Sequence, residues 1–168
     1  MRLGILAAAA LALAPGAALA FDAGASADVL GAIKAAGGTG EVHQTAEGPV
    51  IAGEVDGTNF AVDFDDCNAD KSSCRTVIYR TKWEKASPVP TLAQINGWNL
   101  GAKFCPAVLT AESAPGISYT IEVAPGMTAQ DATARFETYR RCLRAFTAFG
   151  PNPDAFLKAN QIEAPKGP

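Results

Sequence analysis

The apolar positions of this chain change period several times along its length, and each change marks an element. Residues Leu3 to Ala14 form an apolar run with no polar face, broken by Pro15-Gly16. Further on, Val29, Leu30 and Ile33 recur at helical spacing, with Ser26 placed as the N-cap and Asp28 in the first turn. Gly37-Gly38 stops that helix. The period then falls to two. Residues 41–46, 49–55, 58–65 and 75–84 read as strands, separated by Glu47-Gly48, Asp56-Gly57 and the loop from Cys67 to Cys74. Asp56-Gly57 is a hairpin signal, since both positions of a type I′ turn need positive φ. In the third strand Phe60, Val62 and Phe64 share one face, and Asn59, Ala61, Asp63 and Asp65 share the other.

Pro88 and Pro90 end the strand run. Thr91-x-x-Gln94 reads as a capping box opening a helix to about Lys103, with Leu92, Ile95, Trp98 and Ala102 inward. Strands near 105–112 and 117–123 follow, with the turn between them placed at Pro115-Gly116. Thr128-x-x-Asp131 opens a last helix in which Ala132, Phe136, Tyr139, Leu143 and Phe146 are spaced four-three-four-three, and Gly150-Pro151 closes it. Asp154 to Ile162 has the pattern of one or two amphipathic turns, and the Pro/Gly-containing end is expected to be loose. The order is α-β-β-β-β-α-β-β-α, which predicts an α+β fold of antiparallel sheet and helices.

The first apolar run also sets the compartment. Arg2 precedes it and Ala18-Leu19-Ala20 follows it as an A-x-A cleavage site, so residues 1–20 read as a signal peptide with Phe21 as the mature start. The run is too short for a membrane span, which takes about 20 apolar residues. The remaining 148 of 168 residues suit one domain, here 21–150 with a C-terminal tail at 151–168. Cleavage removes one of 14 basic residues and none of 17 acidic ones. The resulting acidic balance disfavours nucleic acid and anionic lipid as partners. The expected location is periplasmic or secreted.

In an oxidising compartment an even cysteine count is normally consumed as disulfides. Cys67, Cys74, Cys105 and Cys142 allow three pairings. Cys67 and Cys74 bracket one short loop between consecutive strands. A Cys105–Cys142 bond would clip the last helix onto the sheet. Loop entropy assigns about 2.5 kcal/mol to the shorter ring and about 4 kcal/mol to the longer. Zinc is disfavoured because six residues stand between the closest cysteines and His43 has no partner motif. No C-x-x-C occurs to suggest a redox-active thiol.

Three clusters remain as candidates for chemistry. Asp66-x-Asn68-x-Asp70 has the spacing that begins a calcium loop, but Lys71 stands where the sharp turn needs glycine and Val77 where the closing glutamate belongs. That pattern favours a solvated acidic hairpin tip, with an ion sensor over residues 63–70 as the alternative. Arg135, Arg140, Arg141 and Arg144 form a basic cluster explained mostly by helix pairs Asp131–Arg135 and Glu137–Arg141 and by the helix dipole. Trp83 and Trp98 are expected in the core, and either becomes a binding anchor if exposed. No nucleophile–base pair is visible around His43, and no carboxylate pair stands out. No cofactor motif occurs, and the chain reads as no enzyme.

Several short elements nevertheless belong to a known pattern: Gly57-Thr58-Asn59-Phe60, the close pair Cys67 and Cys74, and Ile95-Asn96-Gly97-Trp98-Asn99. Lys103-Phe104, Gly126-Met127-Thr128 and Leu143-x-x-Phe146 follow in order. With these the chain resembles the YbjN domain family of bacterial sensory transduction regulators. The family is similar in fold to type III secretion chaperones, and the resemblance implies a sheet-and-helix surface holding an extended partner. It implies no catalytic residue and no cofactor, and it makes a dimer one assembly state without an interface signature in the sequence. The function expected is a non-catalytic module binding a protein or peptide in a regulatory or chaperone-like role. Trp83, Trp98, Asn99, Arg140 and Arg144 are the candidate contact residues.

Overall fold

The computed structural model describes residues 21–84, 86–102 and 104–163. The expected signal peptide, the helix end at Lys103 and the last five residues of the tail lie outside the described residues. The elements run α1 (Ser26–Ala35), β1 (Thr39–Gln44), β2 (Pro49–Val55), β3 (Thr58–Cys67), β4 (Cys74–Lys82), α2 (Leu92–Gly101), β5 (Ala107–Leu109), β6 (Pro115–Glu122), α3 (Ala129–Phe149) and α4 (Pro153–Ala159). The strands form one antiparallel sheet in the order β1-β2-β3-β4-β6-β5. The result is the α+β arrangement of antiparallel sheet and flanking helices, in the predicted order with α4 added.

Strict alternation makes one sheet face apolar and leaves the other wet. Phe60, Val62 and Phe64 of β3, Val77 and Tyr79 of β4, and Ile117, Tyr119 and Ile121 of β6 are buried together with the helices. Asp65, Arg80, Lys82, Thr120 and Glu122 point to solvent. The long helix α3 lays Ala132, Phe136, Tyr139, Leu143 and Phe146 against the apolar face, all buried as their spacing predicts. The Phe136 ring lies 5.4 Å from Phe60 and 5.7 Å from Tyr79 between centroids, and Phe146 lies 4.8 Å from Trp98. Within this apolar layer the Tyr139 hydroxyl donates to Thr81 Oγ1 at 2.6 Å, and Thr81 donates on to the Asn59 carbonyl at 3.0 Å. Burial pushes the Tyr139 phenol up, so it stays neutral and serves as a donor. Full burial of a hydroxyl is tolerable only with such a partner.

The capping box predicted at Thr91 with Gln94 is present, and the helix start predicted at Thr128 carries one too, with Asp131. The β2–β3 turn is of the primed kind, with Asp56 at φ 52° and Gly57 at φ 74°. Both disulfides pair as the loop argument favoured, Cys67 with Cys74 and Cys105 with Cys142. The first joins directly opposed residues of β3 and β4. The second fastens α3 to the segment entering β5, with Cys105 fully buried.

Three expectations are corrected. Ala25, not Ser26, is the N-cap of α1 and offers no side-chain bond; Asp28 instead accepts from the Asp22 amide at 2.7 Å. Pro115-Gly116 is not a turn but the start of β6, and proline is tolerated at a strand's first position. Gly116 runs so close to β4 that a Cβ would sit 2.9 Å from the Thr81 carbonyl oxygen. The reversal lies at 110–114 instead, closed by the Thr110 amide on the Ala114 carbonyl, and shortens β5 to three residues. Leu92 points outward at 64% exposure, because at 100° per residue it sits roughly 90° from the stripe centred on Ile95 and Trp98. The amphipathic turns expected from Asp154 onward are present as α4, whose Phe156 packs 5.8 Å from Trp98 and whose Leu157 is buried.

Replacing Cys105 and Cys142 together by alanine should lower unfolding stability by about 4 kcal/mol, against about 2.5 kcal/mol for Cys67 and Cys74. Urea unfolding of the two double variants checks this ranking. An equal loss, or the reverse order, contradicts it.

Candidate functional site

The candidate contact residues do not form one surface. Trp98 is buried, and its indole N–H donates to the Cys105 carbonyl at 2.9 Å. It is a core pillar and cannot act as a surface anchor. Asn99 is committed as well: its amide nitrogen donates to the Ala107 carbonyl at 3.0 Å, and its oxygen accepts from the Ala107 amide at 2.7 Å. The side chain thereby satisfies the free edge of β5 as another strand would.

Arg140 and Arg144 close on the β2–β3 turn. Arg140 forks onto Asp56 through two bonds of 2.7 Å, and Arg144 adds a third of 2.8 Å to the same carboxylate. Arg140 also donates to the Ala36 carbonyl at the end of α1 and to Glu137. One guanidinium therefore ties a hairpin turn, a helix C-terminus and α3 together, the use for which its planar fork is suited. The expected Glu137–Arg141 pair is replaced by Glu137–Arg140 at i,i+3, because Arg140 is the side chain turned toward the turn. Hydrogen bonds from Arg140 and then Arg144 hold the Asp56 carboxyl well below the usual carboxylate range. These arginines are positioned as a clamp within the fold.

The acidic loop is likewise bonded to itself. Asp70 accepts from the Ser72 amide and hydroxyl, Asn68 bonds Ser72 and Ser73, and Asp66 pairs with Arg75 at 3.4 Å. The Lys71 ammonium donates to the Ala46 carbonyl. Among the described residues no three His, Cys, Asp or Glu side chains come together as a metal site. His43 is exposed on β1.

Trp83 is the candidate that opens onto a concave surface. It follows β4 half-buried, with its ring 5.0 Å from Phe146. Pro88 and Pro90 from the connection to α2, Pro115 from β6, and Phe146 and Pro151 from the end of α3 complete an apolar cleft of about 190 Å³. Among the described residues its polar side chains are Ser87 and Thr147, and no acid or base lines it. Small-molecule sites usually offer about 300–1,000 Å³ and converging polar groups. This cleft has the size of one apolar side chain. In the sequence Pro88, Pro90 and Pro151 read only as strand and helix stops and Pro115 as part of a turn, because nothing local shows that residues 88, 115 and 151 meet. Elsewhere, Leu92, Leu100, Phe104 and Val108 are large apolar side chains left exposed on or beside α2 and on β5.

No protein-family model matches the chain, and no curated protein matches it. Among the described residues no helix is long and apolar enough to cross a membrane.

The clamp has a pH signature. Asp56 has a folded-state pKa lowered from its ordinary 3.8, so its contribution is complete above that value and is lost as pH falls below it. Asp56→Asn keeps a turn-compatible residue, since Asn-Gly also suits type I′, and removes only the charge. The variant should melt lower than the parent at neutral pH, and the gap should narrow between about pH 5 and pH 2. Melting curves across that range check it; a constant gap contradicts the clamp.

Proposed function

We propose that this protein is an exported, disulfide-stapled binding module of YbjN type, without catalytic activity, that engages an extended polypeptide in a regulatory or chaperone-like role. The observation carrying this reading is the Trp83 cleft. It is apolar, sized for one side chain, and lined by no acid or base among the described residues. An extended segment seating one Leu or Phe there, with its flanking backbone across the prolines, matches that shape. Desolvating such a side chain contributes about 1.5–3 kcal/mol, to which contacts of the flanking backbone add.

Two further features support it. A pair of disulfides suits a periplasmic or secreted protein, in keeping with the apolar run and A-x-A step at the N-terminus. The α+β layering of helices over one antiparallel sheet also agrees with a likeness to type III secretion chaperones. An ion sensor at residues 63–70 gains no support, since Asp66, Asn68 and Asp70 already bond to their own loop.

The test is a titration with short extended peptides whose central residue is Leu, Phe, Ala or Asp, following tryptophan emission. Leu- and Phe-centred peptides should shift the emission and Asp-centred ones should not. Trp83→Ala should weaken the Leu-centred peptide at least about tenfold. Equal binding of all four peptides, or none by any, contradicts the proposal.

A further inference from the structure

The two edges of the sheet are treated differently. At one end β5 is three residues long, follows Pro106, and has its outward amide and carbonyl at Ala107 taken by Asn99. At the other end β1 pairs with β2 over six residues in unbroken register and has no further strand beside it among the described residues. It carries no proline, lysine or bulge, the usual means of blunting an edge.

The alternation of the ladder says which groups this edge presents. The Thr45 amide bonds the Gly48 carbonyl at the hairpin end. Counting back, Thr39, Glu41 and His43 spend their backbone groups on β2, while Gly40, Val42 and Gln44 turn theirs to the open side. The side chains sort with the opposite parity. Glu41 and His43 are exposed on the wet face of the sheet, and Val42 is half-buried toward the helices.

We propose that a second copy of this chain covers this edge, pairing β1 antiparallel to β1 about a twofold axis at Val42. In that register Val42 exchanges both main-chain bonds with the partner's Val42, and Gly40 pairs with the partner's Gln44. Glu41 then stands directly opposite the partner's His43, twice by symmetry, and the two valines meet on the helix side. The six-stranded sheets join into one continuous sheet. Backbone parity allows the axis to shift only by whole residues along β1. A shift to Glu41 opposes two carboxylates, and a shift to His43 opposes two imidazoles and shortens the overlap. Setting each carboxylate against an imidazole, which can donate its ring N–H, rather than against a second carboxylate selects the Val42 register. An unrelated peptide gains the same backbone bonds but not this reciprocal match.

Sedimentation velocity over a dilution series tests the pairing on the protein with its disulfides intact. The parent should show a monomer–dimer equilibrium. His43→Glu, which opposes carboxylates at both symmetric positions, should raise the dissociation constant about tenfold. The double variant Glu41→Lys with His43→Glu should restore association, since each lysine then faces a glutamate. Val42→Pro, which removes an edge donor and no bond to β2, should abolish the dimer, and unchanged circular dichroism would show that the fold persists. The parent dimer should also slow amide exchange at Gly40, Val42 and Gln44. A monomer at every concentration, a dimer indifferent to His43→Glu, or one not restored by the double variant overturns the proposal. Because β1 and the Trp83 cleft share no residue, peptide binding and dimerisation fail independently.

Discussion

The fold depends on the contact between the apolar stripe of α3 and the inner face of the sheet. Phe136, Tyr139, Leu143 and Phe146 are the side chains around which the core closes, meeting Phe60 and Tyr79 from the strands and Trp98 from α2. Each buried aromatic contributes a few kcal/mol of transfer free energy, so the layer outweighs any single polar contact in the molecule. The remaining ties keep that layer in one place. The Cys105–Cys142 bond holds the middle of α3, and the Arg140–Asp56 fork fixes it to the β2–β3 turn. Tyr139 sets its depth by the bond to Thr81.

That placement generates the surfaces available for recognition. The Trp83 cleft has Phe146 and the end of α3 as one wall, so it exists only while α3 is pinned. Asn99 uses its whole amide to close the β5 edge, which leaves β1 as the edge with main-chain groups to offer. The molecule thus separates three jobs among similar polar residues: arginines for internal fastening, an asparagine for sealing an edge, and an undecorated strand for pairing.

Much of the architecture was legible in the sequence because it is local. Alternation placed β2, β3 and β4, the four-three spacing fixed the buried face of α3, and Asp56-Gly57 named its turn. Failures came where a distant neighbour decides. Pro115-Gly116 looks like a turn until Thr81 of β4 is set beside it, and Ser26 looks like a cap until Asp22 is seen to claim Asp28. The site was less legible still. Arg140 and Arg144 form i,i+4 neighbours on a helix in sequence, and their partner Asp56 is more than eighty residues away. Prolines 88, 90, 115 and 151 carry no mark that they gather around one tryptophan.

Native-state amide exchange measures directly whether α3 and the sheet stand as one unit. Amides of residues 136–146 in α3 and 60–64 in β3 should exchange only through global unfolding, with the same dependence on denaturant. Release of the α3 amides by a smaller local opening, while β3 stays protected, would contradict a fold and a cleft that both rest on this contact.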